Sequence, residues 1–198
     1  MSSLLARVRF LSSEIVLGSL VAVLSVLTAL AAYQAGMADS DQTKYNVQGQ
    51  QKLTNANAEY LTANQMIVYD YTMYDGWYTA ENDEKAEYYQ SSYSEALQKS
   101  YAANQDDPFS EAYYDEMYAE ANGIFDESDS LFKLAEKFNQ RGDELQLVML
   151  VMALGLALSA WAALLKEESQ LRLVFALLSI ITLVYGLILY VKVPVVVS

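Results

Sequence analysis

Carboxylates, tyrosines, serines and lysines are the reactive side chains this sequence offers, for it holds no His and no Cys. Disulfides, thiolate or imidazole metal ligation and imidazole acid–base catalysis are thereby excluded within the chain. What remains is carboxylate-pair, Ser/Lys or Tyr chemistry, or a metal held by carboxylates alone. Asp and Glu together number 25, so close carboxylate pairs arise by abundance and none is distinguished. No G-x-S-x-G, no P-loop and no Gly-rich dinucleotide fingerprint occurs. The expectation is a protein that is not an enzyme and carries no cofactor.

The densest acidic cluster is Asp126-Glu127-Ser128-Asp129-Ser130. A calcium loop needs oxygen ligands at alternate positions, a Gly in the turn and a late bidentate Glu. That Gly and that spacing are missing, so no metal site is assigned. The cluster is expected instead to form the N-terminus of a helix, where acidic groups oppose the helix dipole.

A second pattern has a physical consequence of another kind. Gly18, Ala22, Ser25, Ala29, Ala32 and Gly36 follow one another at steps of four and three, the 3.5-residue period of a left-handed helix pair. Small residues let membrane helices approach closely and gain van der Waals contact. These six are the predicted helix-packing interface. The expected partner is either the second apolar segment, through Ala153, Ala157 and Ala160, or another subunit.

The elements that would position these residues follow from the charge map. Residues 15–35, 145–165 and 173–191 carry no charge, and about 20 apolar residues of helix match a hydrocarbon core of about 30 Å. Three transmembrane helices are predicted over those ranges. The first is longer than the roughly 7–15 apolar residues of a signal peptide and reads as a retained anchor. No Asp, Glu, Lys or Arg lies inside any of them, which argues against an ion or proton pathway.

Residues 36–144 carry 22 Asp/Glu against 7 Lys/Arg, a local charge of −15, and 13 of the 16 tyrosines lie in residues 45–118. A surface that negative repels nucleic acid, so nucleic-acid binding is not expected. Apolar positions here recur at helical spacing. The stripes are Leu53, Ala56, Tyr60, Ala63, Ile67, Tyr71 and Tyr74; then Ala86, Tyr89, Tyr93, Leu97 and Tyr101; then Phe109, Tyr113, Met117, Ala121 and Ile124; then Leu131, Leu134, Phe138 and Leu145. Expected breaks are Asp75-Gly76, Asp107-Pro108 as N-cap and first turn, and Asn122-Gly123. With no Pro between Ser128 and Leu165, the last stripe is expected to run on into the second span. Tyrosine can build the core of such a bundle because it buries a ring while its hydroxyl stays wet or bonded; the alternative is an exposed aromatic surface for a partner or a glycan.

The predicted architecture is all-α: a basic segment 1–14, transmembrane helices 15–35, 145–165 and 173–191, an acidic Tyr-rich helical domain 36–144 forming a four-helix bundle, a turn 166–172 and a tail 192–198. Arg7 and Arg9 precede the first span, and Lys166 and Arg172 flank the turn. The positive-inside rule therefore places the N-terminus and the turn in the cytoplasm and the 36–144 domain outside the cytoplasmic membrane. Lys133, Lys137 and Arg141 lie on the opposite side, where the rule weighs long loops less.

Asn57-Ala58-Glu59-Tyr60 through Asn64-Gln65, and Ala135 to Gln146 leading into the final hairpin, resemble a group of uncharacterised bacterial membrane proteins classed as domains of unknown function. Those have one N-terminal span, a helical loop and a C-terminal hairpin; the resemblance implies that layout and no activity. The span–four-helix–span order also looks like the sensor half of bacterial chemoreceptors, although a third span and a tail stand where a receptor carries signalling helices. The functional expectation is a non-enzymatic accessory or structural subunit, a homo- or hetero-oligomer within the lipid bilayer. The alternatives are a ligand- or stress-sensing protein acting through a partner, and a channel-forming oligomer.

Overall fold

Helical periodicity in every segment, with few Pro and no β-branched run outside the apolar stretches, leaves little competition to the α-helix. A computed structural model describes residues 10–196 and is all-helical, with no strand among the described residues. The helices are α1 (Glu14–Tyr78), α2 (Asp83–Ser91), α3 (Glu95–Ala103), α4 (Glu111–Leu164) and α5 (Gln170–Lys192). Segments of α1, α4 and α5 are long and apolar enough to cross a membrane. Arg7 and Arg9 lie outside the described residues.

The chain divides into two compact units, one of Met1–Tyr45 with Lys133–Ser198 and the other of Asn46–Phe132. The expected continuity of the first and last bundle helices with apolar segments is observed, since α1 and α4 are each unbroken.

Four expected boundaries differ. Asp75-Gly76 lies inside α1, which ends at Tyr78. Asn122-Gly123 does not stop a helix: no glycine has a positive φ among the described residues, so Gly123 stays within α4. Asp126–Ser130 consequently lies inside α4 and is not a helix N-terminus. Pro108 sits in a turn, and α4 begins only at Glu111, after Ser110 accepts from the Tyr113 N–H at 3.0 Å. The single stripe 86–101 is divided between α2 and α3, because Ser94 leaves the helix to cap α3, its hydroxyl accepting from the Leu97 N–H. Asn82 caps α2 in the same way through the Lys85 N–H.

Within Asn46–Phe132, α1 and α4 run antiparallel, in a register set by Lys52–Glu127 and by Tyr60 stacked on Tyr118, and Tyr71 stacks on Phe109 just ahead of α4. Gly49 fits beneath the Phe132 ring, which a Cβ would approach to 2.9 Å, and its carbonyl accepts from the buried Ser128 hydroxyl at 2.9 Å. The core joins Ile67, Tyr93, Leu97 and Tyr113 to a surround of half-buried aromatic rings.

Candidate functional site

In the other unit the three apolar segments pack through a different set of residues from the predicted six. The covered face of α1 is Leu17, Leu20, Leu24, Ala31, Ala35 and Ala38. Against it, α4 turns Leu145, Val148, Met152, Ser159 and Ala162, and α5 turns Ala176, Ser179 and Gly186. The helices come close at Gly155, whose carbonyl accepts from the Ser179 hydroxyl at 2.9 Å and where a Cβ would collide with Thr182. Gly186 likewise seats the Met152 side chain. Leu24 of α1 thus lies beside Gly155 of α4, and Met152 of α4 beside Gly186 of α5, the close packing that holds membrane helices together.

Gly18, Ala22, Ser25, Ala29, Ala32 and Gly36 are all exposed, and a Cβ on Gly18 or Gly36 would meet nothing within 4 Å. Ala153, Ala157 and Ala160 are exposed too. The second span therefore does not cover the predicted interface. Leu24, one position off that line, is by contrast 0% exposed, within the helix packing. One helical position separates Leu24 from Ser25, and the neighbouring helices decide which of two adjacent faces is covered.

At one end of this unit Arg172 is 3% exposed. Its Nε donates to the Ser12 carbonyl at 2.8 Å and one terminal nitrogen donates to the Leu165 carbonyl at 2.9 Å; the other terminal nitrogen has no partner among the described residues. A cation beside the last carbonyls of α4 also complements that helix's dipole. Arg172 thus ties the start of α1 and the end of α4 to the start of α5. At the other end Gln34 donates to the Tyr190 hydroxyl at 2.9 Å, and Arg141 donates to the Pro194 carbonyl at 2.5 Å.

In Asn46–Phe132 the principal polar feature is Asp70, fully buried on α1. It accepts from the Ser94 N–H at 2.8 Å, the Ser94 hydroxyl at 2.5 Å and the Tyr113 hydroxyl at 2.8 Å. A buried carboxylate needs such donors, because leaving it bare in an apolar core costs several kcal/mol, on the order of 2–7 even for an uncharged polar group. Desolvation first and the bond to Asp70 second push the Tyr113 hydroxyl pKa well above its usual 10, so Tyr113 remains a donor. Burial likewise pushes Tyr93 up. Tyr114 is pushed up to about 12, first by its hydrogen bond with Tyr71 and then by burial. Asp70 was not singled out in the sequence; the signal was an acid three residues beyond Ile67, on the same helical face as Ala63 and Ile67.

The tyrosines divide between core and surface. Tyr93 and Tyr113 are core residues, while Tyr69, Tyr78 and Tyr88 are exposed. Two concavities lie in this unit. An open groove of about 730 Å³ between α1 and α4 is lined by Gln48, Lys52, Asn55, Gly123, Asp126 and Glu127 among others, and a second of about 630 Å³ by Tyr93, Tyr101, Glu87, Gln90 and Gln98. Lys52 and Glu127 form an ion pair at 2.5 Å across the first. Asp126, Glu127 and Asp129 do not converge, and no cluster of three metal-ligating side chains exists among the described residues. Compared with known proteins, the chain matches no protein-family model, no curated protein and no solved structure.

Proposed function

We propose that this chain is a non-enzymatic accessory or structural subunit of a membrane assembly, joined to its partners through the apolar part of α1. The observation that carries the reading is the exposed line of Gly18, Ala22, Ser25, Ala29, Ala32 and Gly36. Other exposed faces of the apolar segments carry large side chains, such as Leu147, Leu150, Leu154 and Trp161 on α4 and Val174, Leu178 and Ile181 on α5. Those suit acyl chains. A line of residues with almost no side chain suits the close approach of another helix.

The test is Ser25→Leu and Ala29→Leu in the full chain. Leu inserts into a bilayer at least as readily as Ser or Ala, and the Ser25 hydroxyl bonds only to the Val21 carbonyl of its own helix. Overpacking a close helix contact costs about 1–3 kcal/mol. Both variants are expected to reduce the mass of the particle extracted in mild detergent, whereas Leu150→Ala leaves it unchanged. An unaltered mass for both Leu variants refutes the reading.

The orientation that accompanies this function is a cytoplasmic 166–172 turn and an extracytoplasmic 46–132 unit. Support comes from Arg7, Arg9, Lys166 and Arg172 under the positive-inside rule. On intact cells Gln105→Cys should react with an impermeant thiol reagent and Glu168→Cys only after lysis, both positions being exposed. The reverse pattern inverts the topology.

A further inference from the structure

The charge of the Asn46–Phe132 unit is confined to one part of it. Residues 46–69 contain one acid, Glu59, and one base, Lys52; residues 70–132 contain 16 acids and two lysines. The whole −14 therefore belongs to the second part. Lys52 is paired with Glu127 on the groove side of α1, and the two lysines of the second part are paired with Glu81 and Glu116.

On the side of α1 opposite its core residues Ala56, Ala63 and Ile67, the positions Thr54, Ala58, Leu61, Gln65, Val68 and Thr72 follow at steps of four and three. All six are exposed and none is charged. Leu61 is 61% and Val68 64% exposed. The Thr54 and Thr72 hydroxyls donate to the Gln50 and Val68 carbonyls of their own helix, each at 2.9 Å, so they ask little of water. The solvent face of a helix ordinarily carries charge, and residues 70–132 of this unit carry it in excess.

We propose that this face is where a second copy of the chain docks, α1 against α1 in parallel. Two copies inserted the same way in one membrane share their helix direction. Each brings a charge of −14 that repels the other, and contact over the uncharged face keeps the acidic surfaces farthest apart. A basic partner would be drawn to the acidic residues of 70–132 and not to this stripe. The four-and-three spacing is also self-complementary: a two-fold axis sets Leu61 beside Leu61 and Val68 beside Val68. Nineteen residues of helix span about 27 Å, too little for an interface of roughly 1,000 Å² or more that stands alone. Confinement of the two chains by their spans supplies the effective concentration. The pairing names the partner in the assembly proposed above and rests on that reading.

The chain has no Cys, so single-cysteine cross-linking of the full protein in native membranes is unambiguous. A disulfide needs Cα atoms within about 7 Å. Leu61→Cys and Val68→Cys are expected to form a disulfide-linked species of twice the chain mass at least about tenfold faster than Met66→Cys or Glu120→Cys, which are exposed away from the face. Leu61→Glu with Val68→Glu should shrink the detergent particle by placing like charges opposite each other. Equal rates at all four positions mean random collision and overturn the proposal. Absence of linked dimer, or linkage to a different protein, while Ser25→Leu still reduces particle mass, leaves the membrane assembly standing and overturns the second copy as occupant of this face. A particle of one chain overturns both.

Discussion

Asp70→Ala is expected to lower the thermal stability of the Asn46–Phe132 unit more than any other single truncation in it. Alanine removes the acceptor for the Ser94 N–H, the Ser94 hydroxyl and the Tyr113 hydroxyl at once. Each donor left bare in the core costs about 1–3 kcal/mol, offset in part by removing a carboxylate that was costly to bury. A net loss of about 3 kcal/mol is the expected size, in the range for breaking a buried polar network. The first consequence is local. Ser94 is both ligand to Asp70 and cap of α3, so α2 and α3 should loosen from α1 while α1 and α4 remain helical. Limited proteolysis should accordingly open between 79 and 110, and the near-ultraviolet tyrosine signal should fall while far-ultraviolet helicity largely persists. Asp70→Asn keeps one acceptor but turns an NH₂ toward a donor, and should lie between wild type and Ala. A melting temperature for Asp70→Ala equal to the parent's would show that the network contributes nothing net.

Gly155→Leu should do comparable damage to the packing of the apolar segments. A Cβ there overlaps Thr182 and comes within 3.2 Å of the Leu24 side chain, and the Gly155 carbonyl receives the Ser179 hydroxyl. Three helices meet at this residue, and none can retreat without opening the contacts of the other two. Overpacking typically costs about 1–3 kcal/mol, and the upper end is expected because the clash begins at the first side-chain atom. Gly123→Leu is the internal control: it lies in the same helix, and a Cβ there meets nothing within 4 Å among the described residues. Relieved of glycine's backbone entropy, it should gain about 0.5–1 kcal/mol. The readout is the midpoint of thermal aggregation in one detergent, with membrane insertion confirmed for each variant. Equal midpoints for the two substitutions would mean that the segments do not pack at Gly155.

The apolar stripes read along residues 53–145 mark the covered faces well, because a 3.6-residue period is a local property that needs no partner to be recognised. Ala56, Ala63, Ile67, Tyr93, Leu97, Tyr113, Ala121, Phe138 and Leu145 are all buried, whereas Tyr60 and Tyr71 of the first stripe are exposed. The helix stops were less legible. Asn122-Gly123 permits a left-handed turn but does not force one, and the packing of α4 along α1 keeps the helix running. The break at Ser94 goes the other way: nothing local demands it, and the acceptors of a carboxylate 24 residues earlier take its N–H and hydroxyl.

Three apolar lengths, the absence of His and Cys, the acidic middle and the all-α class were determined by the sequence alone, since each depends on residue type and spacing within one segment. Which face of α1 meets its own chain was decided only by the tertiary structure. Small residues at 18, 22, 25, 29, 32 and 36 and the Leu-containing set at 17, 20 and 24 are both regular helical lines, one position apart. The choice between them is made on the other helices, where Gly155 of α4 leaves room beside the Leu24 side chain. Likewise the acidity of 46–132 is a property of composition, but that it leaves one side of α1 uncharged and uncovered follows only once α4 and α3 have taken the opposite side.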